Sequence, residues 1–128
     1  MTQDEAATHW QKRAQSEWKA AHALFEKGDA DLYGEVLFHC HLAIELALKA
    51  RYIREKNTAA PFTHDLNELA EELTIGWTPD EHGVFDEITD FGALSRYGDD
   101  KWFSSNATKQ NAGQCLRQAE QFLSKLLS

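Results

Sequence analysis

Apolar residues in this chain recur every three to four positions, and no stretch alternates apolar and polar residues for the length of a strand. The first run places Trp10, Ala14, Trp18, Ala21 and Phe25 on one stripe, which predicts a helix from about Gln3 to Lys27. Thr2 and Glu5 have capping-box spacing at its start, and Gly28 stands where a terminating glycine belongs. A second helix is predicted from about Leu32 to Glu55, with Asp29 or Asp31 as its N-cap. Its middle, 36-VLFHCHLAIELALKA-50, is apolar on nearly every face. A helix of that kind is either the buried centre of a bundle or shared with a second chain.

After the loop 56-KNTAAPFT-63, a short helix from about His64 to Leu73 turns Leu66, Leu69 and Leu73 inward, with Thr63 as its cap. The fourth begins with Thr78 as cap, Pro79 in the first helical position and Glu81 to complete a capping box. It carries Val84, Phe85, Ile88, Phe91 and Leu94. The last, from about Ser105 to Leu127, uses Ala112, Cys115 or Leu116, Ala119, Phe122, Leu123 and Leu126. Short connections favour antiparallel neighbours. The expected fold is all-α: an up-and-down bundle of four main antiparallel helices plus a short fifth helix, one domain over residues 1–128.

Composition narrows the function classes. The 128 residues carry a formal charge of −8 and no basic stripe, which disfavours autonomous nucleic-acid binding. The apolar middle of the second helix is interrupted by His39, His41 and Glu45, so no membrane span is expected. The start, 1-MTQDEAATHW-10, is acidic and polar, unlike a secretory signal. Cys40 and Cys115 lie far apart without metal-ligand spacing and read as reduced thiols of a cytoplasmic protein.

Three phrases stand in order along these helices: 38-FHCHLAIELALKA-50, 64-HDLNEL-69 and 96-RYGD-99. Together they resemble the HEPN domain family, over essentially the whole chain. The family is similar in fold to the helical C-terminal domain of kanamycin nucleotidyltransferase. The resemblance implies a homodimer, and a nucleotidyltransferase as possible partner protein, with a nucleotide as possible ligand. It also implies a test. Ribonuclease members of the family carry an arginine followed, after four to six residues, by a histidine. None of Arg13, Arg51, Arg54, Arg96 and Arg117 has such a histidine, and positions 101–103 are Lys-Trp-Phe. The chain therefore looks like a non-nucleolytic member. Its Arg-Tyr-Gly-Asp resembles the family's Arg-Tyr-Pro-Asp variant, with Gly98 in place of proline.

The candidate ligand-binding residues are Arg96, Tyr97, Asp99, Glu45 and Lys49. Arg96 offers a planar fork of donors for phosphate or carboxylate. The same stretch also reads as a helix end, with a cation at the C-terminus, a glycine break and an aspartate cap. Glu45 and Lys49 have the favourable i, i+4 order and form either a structural ion pair or part of the same cleft. His64 and Asp65 read as the capped start of the short helix. No catalytic residue, cofactor or metal is expected. A divergent ribonuclease with a rearranged site, and a metal-binding bundle using His9, His22, His41, His64 or His82, are the alternatives. Trp77 and Trp102, beside loops, are candidates for an interface.

Overall fold

The most extensive helix pair is the first with the second, and it is built on alanine. The computed structural model describes residues 2–128. Helix α1 spans Gln3–Glu26, α2 Tyr33–Lys56, α3 Leu66–Glu71, α4 Pro79–Tyr97, α5 Asp100–Asn106 and α6 Lys109–Leu127. Among the described residues there is no strand. On α1, Ala7, Ala14 and Ala21 are fully buried at seven-residue spacing, so the backbone of α1 lies close against α2. Trp10, Trp18 and Phe25 flank that seam and pack on the core's edge.

Side-chain pairs fix the directions of the helices. Arg54, near the end of α2, reaches Asp4 and Thr8 at the start of α1, while His39, early in α2, meets Glu17. Helices α1 and α2 are thus antiparallel. Phe38 and His41 of α2 meet Arg96 and Gly92 of α4, also antiparallel. Phe85 stacks on Phe122 at 4.4 Å and Glu81 pairs with Lys125, so α4 and α6 are antiparallel too. The Trp18 indole donates to the Leu116 carbonyl at 3.1 Å and ties α1 to α6. This is the expected up-and-down bundle, with α2 in contact with every other main helix.

Fourteen residues of α2 are buried, among them Leu37, His41, Ile44, Leu46, Leu48 and Ile53, while Phe38 and Leu42 are half-buried. The capping box of α4 is present in full. Glu81 N–H donates to Thr78 Oγ1 at 3.1 Å, and Thr78 N–H donates to Glu81 Oε1 at 2.8 Å. Thr2 caps α1 by accepting from the Glu5 N–H. Gly28 takes φ +69°, the left-handed conformation that ends α1 cheaply only in glycine.

Several details differ from the pattern reading. Asp29 caps a 3₁₀ turn over Ala30–Leu32, and α2 starts after it with no side-chain cap. The short α3 starts at Leu66, capped by Asp65 rather than Thr63. Residues 100–106 form a separate helix, α5, capped by Asp99. The last long helix begins only at Lys109, with Thr108 as its cap. Finally, Leu94 is 38% exposed instead of facing the core.

The alanine seam generates a prediction. Ala14→Leu inserts three extra carbons where α1 touches α2, and should cost about 1–3 kcal/mol. A lower urea midpoint checks it. Unchanged stability would mean that the seam has room to spare.

Candidate functional site

The candidate site lies where α4 ends against the middle of α2 and the loop before α3. It starts from a polar cluster within the otherwise apolar α2. Glu45 and His41 are each only 4% exposed. A buried carboxylate needs partners, and Glu45 has two within hydrogen-bond distance, with His41 Nε2 a further contact at 3.9 Å from Oε1. Lys49 Nζ stands 3.0 Å from Oε2, one turn along the helix, and His64 Nδ1 lies 3.0 Å from Oε1 and 3.2 Å from Oε2. The His41 Nε2–H donates to the His64 carbonyl at 3.0 Å. Two side chains of α2 therefore hold His64, one through its ring and the other through its backbone.

That bond leaves His41 Nδ1 as the acceptor nitrogen, buried and with no hydrogen-bond partner. Its ring lies against Gly92 so closely that a Cβ there would come within 2.3 Å of His41 Cγ. Only glycine lets α4 approach the imidazole at that point. Burial holds the His41 pKa below its ordinary 6.5. The His64 carbonyl and Glu45 oppose that shift, while the nearby His64 ring and Arg96 reinforce it.

The Arg96 guanidinium carbon sits 4.3 Å from the Phe38 ring centroid, a cation–π contact that orients it. Arg96 itself is exposed. Among the described residues its nitrogens make no hydrogen bond and no ion pair. A cleft of about 280 Å³ opens beside it, lined by His41, His64, Asp65, Thr89, Gly92, Ala93, Arg96 and Tyr97. The acidic lining residue is already engaged, because Asp65 Oδ1 accepts the Asn67 and Glu68 N–H groups as the cap of α3. Thr89 is occupied as well, donating to Phe85 O and accepting from Leu66 N–H. Arg96, the exposed edge of His64 and the second carboxylate oxygen of Asp65 are left as the open polar groups, beside Tyr97, which is 83% exposed.

Of the five candidate residues, Arg96 and Tyr97 line the cleft. Glu45 and Lys49 stand behind it and act on it through His64. Asp99 caps α5 by accepting the Trp102 N–H at 2.9 Å. Gly98 takes φ −67° and ψ 156°, an angle pair that proline also adopts, but its N–H donates to Leu94 O at 2.7 Å, which proline lacks the hydrogen to do. The histidines are what the linear reading missed as site residues. His64 reads in sequence as a helix start, yet it lies outside α3 and points back to Glu45. Among the described residues, no group of three or more His, Cys, Asp or Glu is arranged to hold a metal ion. No helix is long and apolar enough to cross a membrane.

The HEPN domain family model matches residues 7–128. The chain belongs to the HEPN domain family. The crystal structure of TT1696 from Thermus thermophilus superposes with a TM-score of 0.81 at 20% identity, covering 94% of this chain and 95% of that one. At that identity the likeness concerns the fold. No curated protein matches the chain. Within the HEPN frame, Arg96 and Tyr97 of the Arg-Tyr-Gly-Asp phrase and His64 and Asp65 of the His-Asp-Leu phrase line one cleft.

His41 gives this HEPN chain a defined pH response. The unfolded imidazole takes a proton near its ordinary 6.5, while the folded one resists it. Below that pH the unfolded state binds more protons, so the stability due to neutral His41 is present above 6.5 and lost as the pH falls. Urea midpoints from about pH 7.5 to about pH 5.5, a window where histidine titrates, should fall more steeply in the native chain than in His41→Gln. Equal slopes would remove His41 from that role.

Proposed function

We propose that this HEPN chain is a non-catalytic binding module that forms a homodimer and works with a nucleotidyltransferase or another protein partner. In this reading a nucleotide is held at the α2–α4 cleft through its phosphate. The observation that carries it is Arg96, a guanidinium oriented by Phe38 with its donors uncommitted, beside a cleft whose one carboxylate has an oxygen committed to capping α3. A planar fork of that kind suits a phosphate. Tyr97 offers an exposed ring beside it on which a base can stack. Glu45 and Lys49 serve the site by holding His64 in place.

Calorimetric titration with AMP and with adenosine tests the ligand. AMP should bind more tightly than adenosine, and Arg96→Ala should weaken AMP by about tenfold or more, the scale of one charge-assisted contact. Affinity unchanged by both Arg96→Ala and Lys49→Ala would take these residues out of the role. Light scattering at micromolar concentration should give twice the chain mass, and a monomer alone would count against the dimer.

A second reading rests on His64. Glu45 faces its Nδ1, a carboxylate–imidazole pairing of the kind that fixes the tautomer of a general base, and the ring borders the same cleft as Arg96. A divergent ribonuclease would use His64 in place of the histidine missing after Arg96. Cleavage of single-stranded RNA by the purified chain, lost in both Arg96→Ala and His64→Ala, would favour this reading over the first. No cleavage above a heat-inactivated control would dismiss it.

A further inference from the structure

A second groove, of about 310 Å³, lies between α4, α5 and α6. Its lining includes Glu87, Asp90, Phe91, Leu94, Trp102 and Asn106. Residues 87, 90, 91 and 94 run along one flank of α4, whereas 89, 92, 93 and 96 of the Arg96 cleft run along the other. The two sites therefore do not share a wall.

The chemistry of this groove is one-sided. Glu87 and Asp90 have no cation and no hydrogen-bond donor among the described residues. Asn111, which also lines the groove, turns its amide nitrogen to the Asn106 carbonyl at 2.9 Å, and Asn106 turns its own to the Trp102 carbonyl at 3.0 Å. Both amide oxygens are left without donors. The carboxylates and the amides thus offer acceptors, beside an apolar wall of Phe91, Trp102 and the exposed Leu94. Trp102 is held in that wall by its backbone and by the packing of its ring. Asp99 caps its N–H, and its indole lies where a Cβ on Gly98 would come within 3.1 Å.

We propose that this groove docks a basic segment of a partner protein by taking one of its arginine side chains. A guanidinium supplies only donors, matches two carboxylates and stacks on an aromatic ring, while its methylene stem covers an apolar residue such as Leu94. Charge complementarity argues for a protein of opposite sign. The chain carries −8 overall, and Arg96 is the only Lys or Arg along the length of α4.

The test is a titration of the isotope-labelled full chain, followed by NMR, with a short arginine–glycine peptide and with the same peptide carrying citrulline. Arginine should shift the Trp102 indole and the amides around Glu87 and Asp90. Citrulline, the same shape without the charge, should bind about tenfold more weakly. The double variant E87Q/D90N should lose a similar factor. E71Q/E72Q, with the same change in net charge elsewhere, should lose little. Shifts scattered over the acidic surface, or equal losses in the two double variants, would overturn the proposal in favour of diffuse attraction. Spermidine binding as tightly as the peptide would make this a small-polyamine site instead. A dimer that falls apart in E87Q/D90N would assign the groove to a second copy of this chain.

Discussion

Helix α2 is apolar on nearly every face, and that constraint organises the molecule. A helix with so little solvent-facing surface must be surrounded, so α1, α4 and α6 all pack against it and α3 adds a smaller contact. The close approach of α1 depends on alanines, and that of α4 on Gly92 against the His41 ring. Burial on this scale makes any polar group in α2 costly unless it is partnered. The buried polar side chains of α2, His41 and Glu45, lie where α4 and the α2–α3 loop meet it.

The cleft follows from how those groups are satisfied. Glu45 reaches Lys49 along its own helix and His64 from the loop, and His41 reaches the His64 carbonyl. The loop is thereby fixed in place by hydrogen bonds instead of by apolar contact, since Phe62 within it is fully exposed. A loop held in this way keeps one wall of the cleft at a set distance from Arg96. A buried ion pair contributes little net stability compared with an apolar replacement. Here Glu45 also ties the loop to α2 through the His64 ring.

Much of this was legible in the sequence because it rests on local rules. Thr78, Pro79 and Glu81 announce the start of α4 through spacing alone, and the box forms as spaced. The all-round apolar character of 36–50 announces a central helix. What stayed hidden depends on where distant residues meet. His64 looks like part of a helix start until Glu45, nineteen positions earlier, is seen beneath it. Asp99 looks like a ligand residue, and its carboxylate is spent on the Trp102 N–H. Helix α5 is too short to carry a clear period, so residues 100–106 read as loop and as the start of the last helix. Leu94 fits the apolar stripe of α4 by spacing, yet that stripe rotates off the core near the end of the helix, and α5 does not cover it.

The last turns of α4 therefore serve two surfaces of opposite character. The buried stripe of Phe85, Ile88 and Phe91 anchors the helix to the core. One flank carries Arg96 with its donors free, and the other carries Glu87 and Asp90 with their acceptors free. Within one protein chain, charges of opposite sign on neighbouring helix faces usually find each other through i, i+4 pairs. Here the spacing prevents it. Arg96 lies six residues from Asp90 and nine from Glu87, so no such pair forms, and Phe38 holds the guanidinium on the far flank. Stacking on an aromatic ring keeps the cation on the flank away from Glu87 and Asp90. Both remain open to whatever the chain meets.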